Sequence, residues 1–264
     1  MSRTSFLLSL FLLPLTACMA QEKAVFTPEI LTWPGYRATS PIVIDGKLDD
    51  AAWKNAFEIN NLYEIRKPDL GPLKVGPDKL QVKVLYDDHY LYVGAHIADR
   101  DLVANPESPK RANLSSLFLD GDVFEIFIQP DPKQSVYYEI HFNPLNAVWA
   151  AQFKAHVPYM MWAVNDWKSG IDSKATVDGT VNVLDEDKGW TVEFAIPRAS
   201  LTDAGGKPFP IQPGTKWRFS CCLYDYQQYY DDCDNGEILK YFSTSKLEAI
   251  NYHLRKYYNF IEFK

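Results

Sequence analysis

Positive charge, cysteine, histidine and long apolar runs are all scarce in this chain, and each scarcity closes off a class of function. Lysine and arginine number 27 against 34 acidic residues, a formal net charge of −7 with a pI near 5.3. A surface of that sign repels phosphate backbones and anionic headgroups, so nucleic acid is not an expected partner. The four cysteines and five histidines include no paired C-x-x-C and no well-spaced histidine, which argues against a zinc site. G-x-S-x-G, H-E-x-x-H, Walker A and G-x-G-x-x-G are all missing, so serine hydrolase, zinc protease, phosphate-loop and dinucleotide readings lose their usual support. The expectation is a protein that is not an enzyme. Beyond the first twenty residues no apolar run approaches the roughly 20 residues a membrane helix needs.

The one apolar run opens the chain. Arg3 followed by SFLLSLFLLPL has the charge and length of a signal peptide. Its end, Leu15-Thr16-Ala17-Cys18, matches a bacterial lipobox, so residues 1–18 read as a signal with Cys18 as the lipid attachment site. The expected product is an exported lipoprotein held on the inner or outer membrane, in the periplasm or at the cell surface. A cut after Ala20 is the competing reading and would release a soluble periplasmic or secreted chain beginning at Gln21. Residues 19–40 show no sustained period and carry two prolines; they read as a tether or a peripheral strand.

From residue 41 to 264 the pattern is one of short alternating runs broken by turn chemistry. QVKVLYD, YLYVGAHIAD, DVFEIFIQP, YYEIHFNP, AVWAAQF, KATVDG, WTVEFAIP, KWRFSCCLYDY and YNFIEF all read as strands. Many short strands with no helices between them predict one all-β domain, an antiparallel β-sandwich or barrel. The aromatic share of 14% suits strands and sugar-stacking surfaces alike. DDAAWKNA is the exception, a short helix near residues 49–56 that Asp49 or Asp50 could cap, after an Asp45-Gly46 turn. The oxygens of Asp45, Asp49 and Asp50 also offer a structural calcium ion a site, although no cofactor is required. DDCDNGE, residues 231–237, lacks the closing glutamate of a calcium loop and reads as an acidic hairpin tip. Cys233 either pairs with one of Cys221 and Cys222, which point to opposite strand faces, or all three stay free thiols.

Period-two alternation separates faces. Phe124, Ile126 and Ile128 share one side of DVFEIFIQ, and Val123, Glu125 and Phe127 the other. In YYEIHFN the same rule places Tyr138, Ile140 and Phe142 opposite Tyr137, Glu139, His141 and Asn143. A hairpin through PDPKQS would bring Glu125 beside Glu139 and His141, a mixture that can hydrogen-bond the hydroxyls of an uncharged ligand. Read from alternation alone, the same face also fits the solvated outer side of an antiparallel sheet. A glycosidase pair would need carboxylates about 5–10 Å apart, which spacing along a sequence does not establish.

Taken together, IDGKLDDAAW, VKVLYDDHYLYVGAHIAD, GDVFEIFIQP followed by YYEIHFNP, VDGTVNVLDEDKGWTVEFAIPRASL and NYHLRKYYNFIEF resemble the family 9 carbohydrate-binding modules, especially the family-9-like domains of exported bacterial proteins. These five segments stand in order over nearly all of residues 41–264. The resemblance implies a jelly-roll-like β-sandwich, with IDGKLDDAAW as a structural element and a saccharide as ligand. It also implies that Glu125 in the D-x-x-E-I-F strand contacts the sugar, together with Glu139, His141 and Asn143 on the following strand. Sugar binders of this family clamp the ligand between two tryptophans, and here the pattern departs. Leu119, beside Phe118, stands at the first position, and Tyr252-His253 lies where the second should be; His141 replaces an arginine. Tyr252 and one of Trp162 and Trp167, from PYMMWAVNDWKSG, are the expected replacements for stacking.

The function so implied is non-catalytic carbohydrate binding in polysaccharide uptake or degradation, beside glycan-processing protein partners. The alternative is a scaffold lipoprotein that keeps the sandwich but uses a degenerate sugar site for a protein partner. A haem-binding sandwich, with Met160 or Met161 and a histidine as ligands, is the third and less favoured reading, since methionine more often fills core gaps.

Overall fold

The computed structural model describes residues 26–67, 70–107, 121–154, 167–227 and 238–264. The alternating runs form strands, in chain order β1 (Thr32–Arg37), β2 (Glu58–Ile59), β3 (Leu62–Glu64), β4 (Leu73–Val75), β5 (Leu80–Tyr86), β6 (Tyr90–Ala98), β7 (Val123–Gln129), β8 (Tyr137–Phe142), β9 (Val148–Phe153), β10 (Asp172–Asp178), β11 (Gly189–Pro197), β12 (Lys216–Tyr226), β13 (Leu239–Ser243) and β14 (Asn259–Phe263). All nine stretches expected to be strands are strands. The fold is the expected all-β sandwich.

One layer runs β10-β11-β6-β5, with β2 also on β5. The other runs β9-β8-β7-β12, and the far edge of β12 is shared between β14 and β13, which leads on to β3 and β4. β1 joins the two layers, because Thr32–Gly35 pair with β14 while Tyr36 and Arg37 pair with β5. Both of its pairings are parallel; the other ladders are antiparallel. Part of the stretch expected to be a tether or a peripheral strand is therefore the strand that ties the sandwich together.

Phe124, Ile126, Ile128, Tyr138, Ile140 and Phe142 face Val82, Val93, Trp190, Val192 and Phe194 across the layers, the apolar faces that alternation identified. Phe142 and Phe194 stack with centroids 4.2 Å apart. Each large side chain so buried contributes about 1.5–3 kcal/mol.

Both outer faces carry a second cluster. Trp53 and Ala52 lie against Leu85, Tyr92 and Ala195 on the β5-β6-β11 face. Trp53 sits on the expected helix, a 3-10 turn over Ala51–Asn55. Asp50 occupies the N-cap position but makes no side-chain cap bond; its Oδ2 accepts the Val43 N–H instead, at 2.8 Å. The anchor of this segment is Glu193, fully buried, whose carboxylate accepts the N–H groups of Asp45 (3.0 Å) and Gly46 (3.1 Å) and the Trp53 indole N–H (2.8 Å). Gly46 takes φ +83°, the left-handed conformation that its Asp-Gly turn requires. Asp45 uses Oδ1 on the Lys47 N–H, so Asp45 and Asp50 serve a turn and its docking.

Candidate functional site

The outer face of the other layer holds the polar residues singled out in the sequence. Register places His141 directly opposite Glu125, Glu139 opposite Phe127, Cys222 opposite Glu125, and Trp149 opposite His141. A row Cys222–Glu125–His141–Trp149 thus crosses four strands, with Ser220–Phe127–Glu139–Ala151 beneath it. His141 Nε2 lies 2.7 Å from Glu125 Oε1 and 2.8 Å from Glu139 Oε1. The expected grouping of Glu125, Glu139 and His141 is present.

This face is not solvated. Glu125, Glu139 and His141 are 2%, 3% and 1% exposed. Leu247, Tyr252, Tyr257 and Tyr258 from the C-terminal segment pack over Val123, Phe127, Tyr137 and Trp149. The solvated-face reading fails because side chains more than a hundred residues downstream supply a cover that local alternation does not reveal.

Burial controls the ionisation of the trio. It pushes the Glu125 carboxyl up to about 8, against the pull of His141. Glu139, equally buried, is brought below the usual carboxylate range by its hydrogen bond to His141 and by the charges of His141 and His253. For His141, burial alone would favour the neutral ring, but the two carboxylates outweigh it and lift the pKa to about 9. Burial thus favours the neutral form of Glu125, while the mutual attraction of His141 and Glu139 favours a charged imidazole beside an ionised carboxylate. Glu139 Oε2 makes no hydrogen bond and stands 3.8 Å from the His253 Nε2. The His253 side chain is 32% exposed and sits among the rings of Phe127 (5.3 Å), Phe153 (5.7 Å) and Tyr137 (6.0 Å), with Nδ1 3.0 Å from the Tyr137 hydroxyl. It forms the rim of the buried row.

The remaining expected site residues are placed differently. Asn143 lies two residues past His141 but turns its Oδ1 to the N–H groups of Leu145 (3.1 Å) and Ala147 (2.9 Å), shaping the β8–β9 turn. Tyr252 is 5% exposed; its hydroxyl donates to the Leu223 carbonyl and its ring packs against Phe127 and Tyr224, so it is a cover and not an open stacking platform. Trp167 lies on the opposite side of the layer, with its ring centroid 4.7 Å from that of Tyr138 and its indole N–H on the Ser200 carbonyl. The structure does not bring it to the Glu125 face. Trp162, Met160, Met161, Phe118, Leu119, Cys233 and Cys18 lie outside the described residues. Cys221 and Cys222 are buried free thiols.

Three residues of the site were not singled out in the sequence. Trp149 and Phe127 follow from strand alternation once the face is known to be covered. Tyr258 gives no local signal, because its role depends on where the C-terminal segment crosses the sheet.

A second buried acidic group, Asp99, Asp122 and Asp225, has oxygens within 4.8 Å of one another. Asp122 accepts the Val103 and Tyr226 N–H groups, while the Lys79 ammonium stands 2.6 Å from Asp225. A lysine supplies the cation there, and Asp99, buried beside Asp225, is lifted to about 7.

The family model described as carbohydrate family 9 binding domain-like matches residues 44–219. Among solved structures, a family 9 carbohydrate-binding module from Caldicellulosiruptor kristjanssonii in complex with cellotriose is similar at 15% identity, with 88% of this chain and 93% of that one covered and a TM-score of 0.50. A protein from Bacteroides uniformis, described as a candidate carbohydrate-binding protein, is similar at 10% identity over 90% of this chain and all of that one, with a TM-score of 0.57. No curated protein matches the chain. At these identities the likeness to the solved structures is one of fold.

Proposed function

The chain belongs to the carbohydrate family 9 binding domain-like family, and from that membership we propose that it binds saccharide without transforming it. The observation that carries the reading is the polar row on a ring-walled face, with Glu139 Oε2 lacking a hydrogen bond beneath the half-exposed His253. An ionised carboxylate oxygen of this kind accepts a sugar hydroxyl, and the partly exposed His253 ring is the part of the wall that a ligand meets first. The approach is past His253, whose side chain has to swing aside to open the buried Glu139 Oε2, since Tyr252 and Tyr258 cover Glu125 directly.

Hydrolysis is disfavoured by the same geometry. Glu125 and Glu139 both turn to one imidazole nitrogen, whereas a glycosidase needs an acid and a base or nucleophile flanking a bond. The similar Caldicellulosiruptor module was solved with cellotriose, which makes a neutral oligoglucoside a reasonable first probe. In the full reading the domain is exported, anchored through Cys18, and holds glycan near the membrane for processing partners.

Calorimetric titration of the mature chain with cellotriose, backed by a glycan array, tests this. Glu139→Gln should weaken a saccharide hit about tenfold or more, the worth of a hydrogen bond to a charged group. Silence across the array would instead favour the scaffold reading, for which the tyrosine cover over Glu125 is the supporting observation.

A further inference from the structure

The Glu125 face continues past Phe127 and Glu139 into an open groove of about 410 Å³, lined by Gln129, Gln134, Arg218, His253, Arg255 and Lys256 among others. Its floor is set by register: Arg218 on β12 stands directly opposite Gln129 on β7. Four of these side chains are cationic or can become so, on a chain whose net charge is −7.

Arg218 is the residue that needs explaining. Its Nη1 donates to the Arg255 carbonyl at 2.6 Å, and its guanidinium lies 5.7 Å from the Phe260 ring centroid. No carboxylate among the described residues pairs with it. Burial, and then the charge of Arg255, hold its pKa below the usual arginine value, so its charge is disfavoured where it stands. Lys256 differs, being paired with Glu248 at 3.2 Å. Across the ladder, Gln129 is 3% exposed; its Nε2 donates to the Gln134 carbonyl, while its Oε1 has no hydrogen-bond partner. A half-buried guanidinium without a counter-charge, beside an unused buried amide oxygen, is complementary to a group that brings both a negative charge and a hydroxyl.

We propose that this groove is a subsite for an anionic saccharide, with Arg218 taking the carboxylate of a uronic acid or a sulfate ester and Gln129 accepting a neighbouring hydroxyl. The planar fork of arginine suits both anions. This rests on the saccharide-binding reading above and narrows it: His253 stands between Glu139 and the groove, so one oligosaccharide could lie across both.

The test is calorimetry on the mature chain with tetragalacturonate, a sulfated oligosaccharide of similar length and neutral cellotetraose, at low and at high salt. One or both anionic ligands should bind about tenfold tighter than the neutral one, with an advantage that shrinks in salt; which of them does so identifies the anion. Arg218→Gln should remove that advantage and leave neutral binding unchanged, while Arg218→Lys, which keeps the charge without the fork, should lose only part of it. Melting curves of both variants separate this from misfolding. Equal binding of neutral and anionic ligands, or anionic binding indifferent to Arg218→Gln, would overturn the subsite and leave saccharide binding standing. Failure of all three ligands would overturn both.

Discussion

At Glu125, His141 and Glu139, ionisation and stability are one problem. Glu125 moves from 4.5 unfolded to about 8 folded, and His141 from 6.5 to about 9. Between each pair of values the folded protein binds more protons than the unfolded chain, so both groups make stability fall as pH rises, most steeply where the windows overlap. Asp99, raised from 3.8 to about 7, acts in the same sense. Glu139 works oppositely, since its lowered pKa contributes stability that is lost on acidification below its unfolded value of 4.5. Melting temperature should therefore decline from about pH 5 to about pH 9, most steeply between about pH 6.5 and pH 8, and Glu125→Gln should flatten that decline; thermal melts across this range check it, and a flat profile in the wild type would contradict the assigned shifts. The sequence alone suggests that Glu125→Ala would lose affinity without unfolding. Burial changes that expectation. Removing the side chain opens a cavity and takes a hydrogen-bond partner from His141, a loss of about 2–5 kcal/mol, whereas glutamine keeps the shape and neutrality of the protonated acid and should cost much less. Denaturant titration of the two variants distinguishes these outcomes.

At the scale of elements, docking of the opening segment depends on one missing side chain. Gly94 lies in the middle of β6, opposite Glu193 on β11 and Lys83 on β5. A Cβ at Gly94 would run into the Leu48 side chain, so the glycine is the notch in which Leu48 sits while Glu193 holds the neighbouring backbone. Gly94→Ala should push Leu48 out and cost about 1–3 kcal/mol, read as a lowered denaturation midpoint with unchanged m-value. Unchanged stability would mean that the segment does not depend on this fit. Neither Gly94 nor Glu193 was legible in the sequence. In GWTVEFAIP the residues Trp190, Val192, Phe194 and Ile196 show the core face clearly, and alternation then assigns Glu193 to solvent. The strands themselves were legible, because each has its own local period and its own bounding turns. Short or irregular partners such as β2, β4 and the proline-containing β1 were not, since ladders supplied from distant strands define them. The candidate site divides along the same line. Cross-strand placement of Glu125, Glu139 and His141 follows from one hairpin, whereas the cover by Tyr252 and Tyr258 and the position of Trp167 depend on contacts far along the chain.

For the molecule as a whole, the proposed saccharide binding would depend on location, and the charge balance bears on how that location is reached. With a net charge of −7 the folded chain has no general attraction to anionic membrane surfaces, and among the described residues no helix is long and apolar enough to cross a bilayer. If the protein works at a membrane, lipid on Cys18 is the feature of this sequence that would hold it there, close to a chain already docked on the sandwich at Phe26, whose ring packs on Tyr257. Cys18→Ala should then move the protein from the membrane pellet to the soluble fraction of a bacterial host, while its saccharide binding in solution stays the same. The competing cut after Ala20 gives a different pattern: a soluble wild type whose first residue is Gln21, with fractionation indifferent to the cysteine. Mass spectrometry of the mature N-terminus, run beside the fractionation, separates the two. A lipidated Cys18 would keep the cationic groove near the membrane, where an acidic polysaccharide could be held beside a surface to which the domain itself has no general attraction.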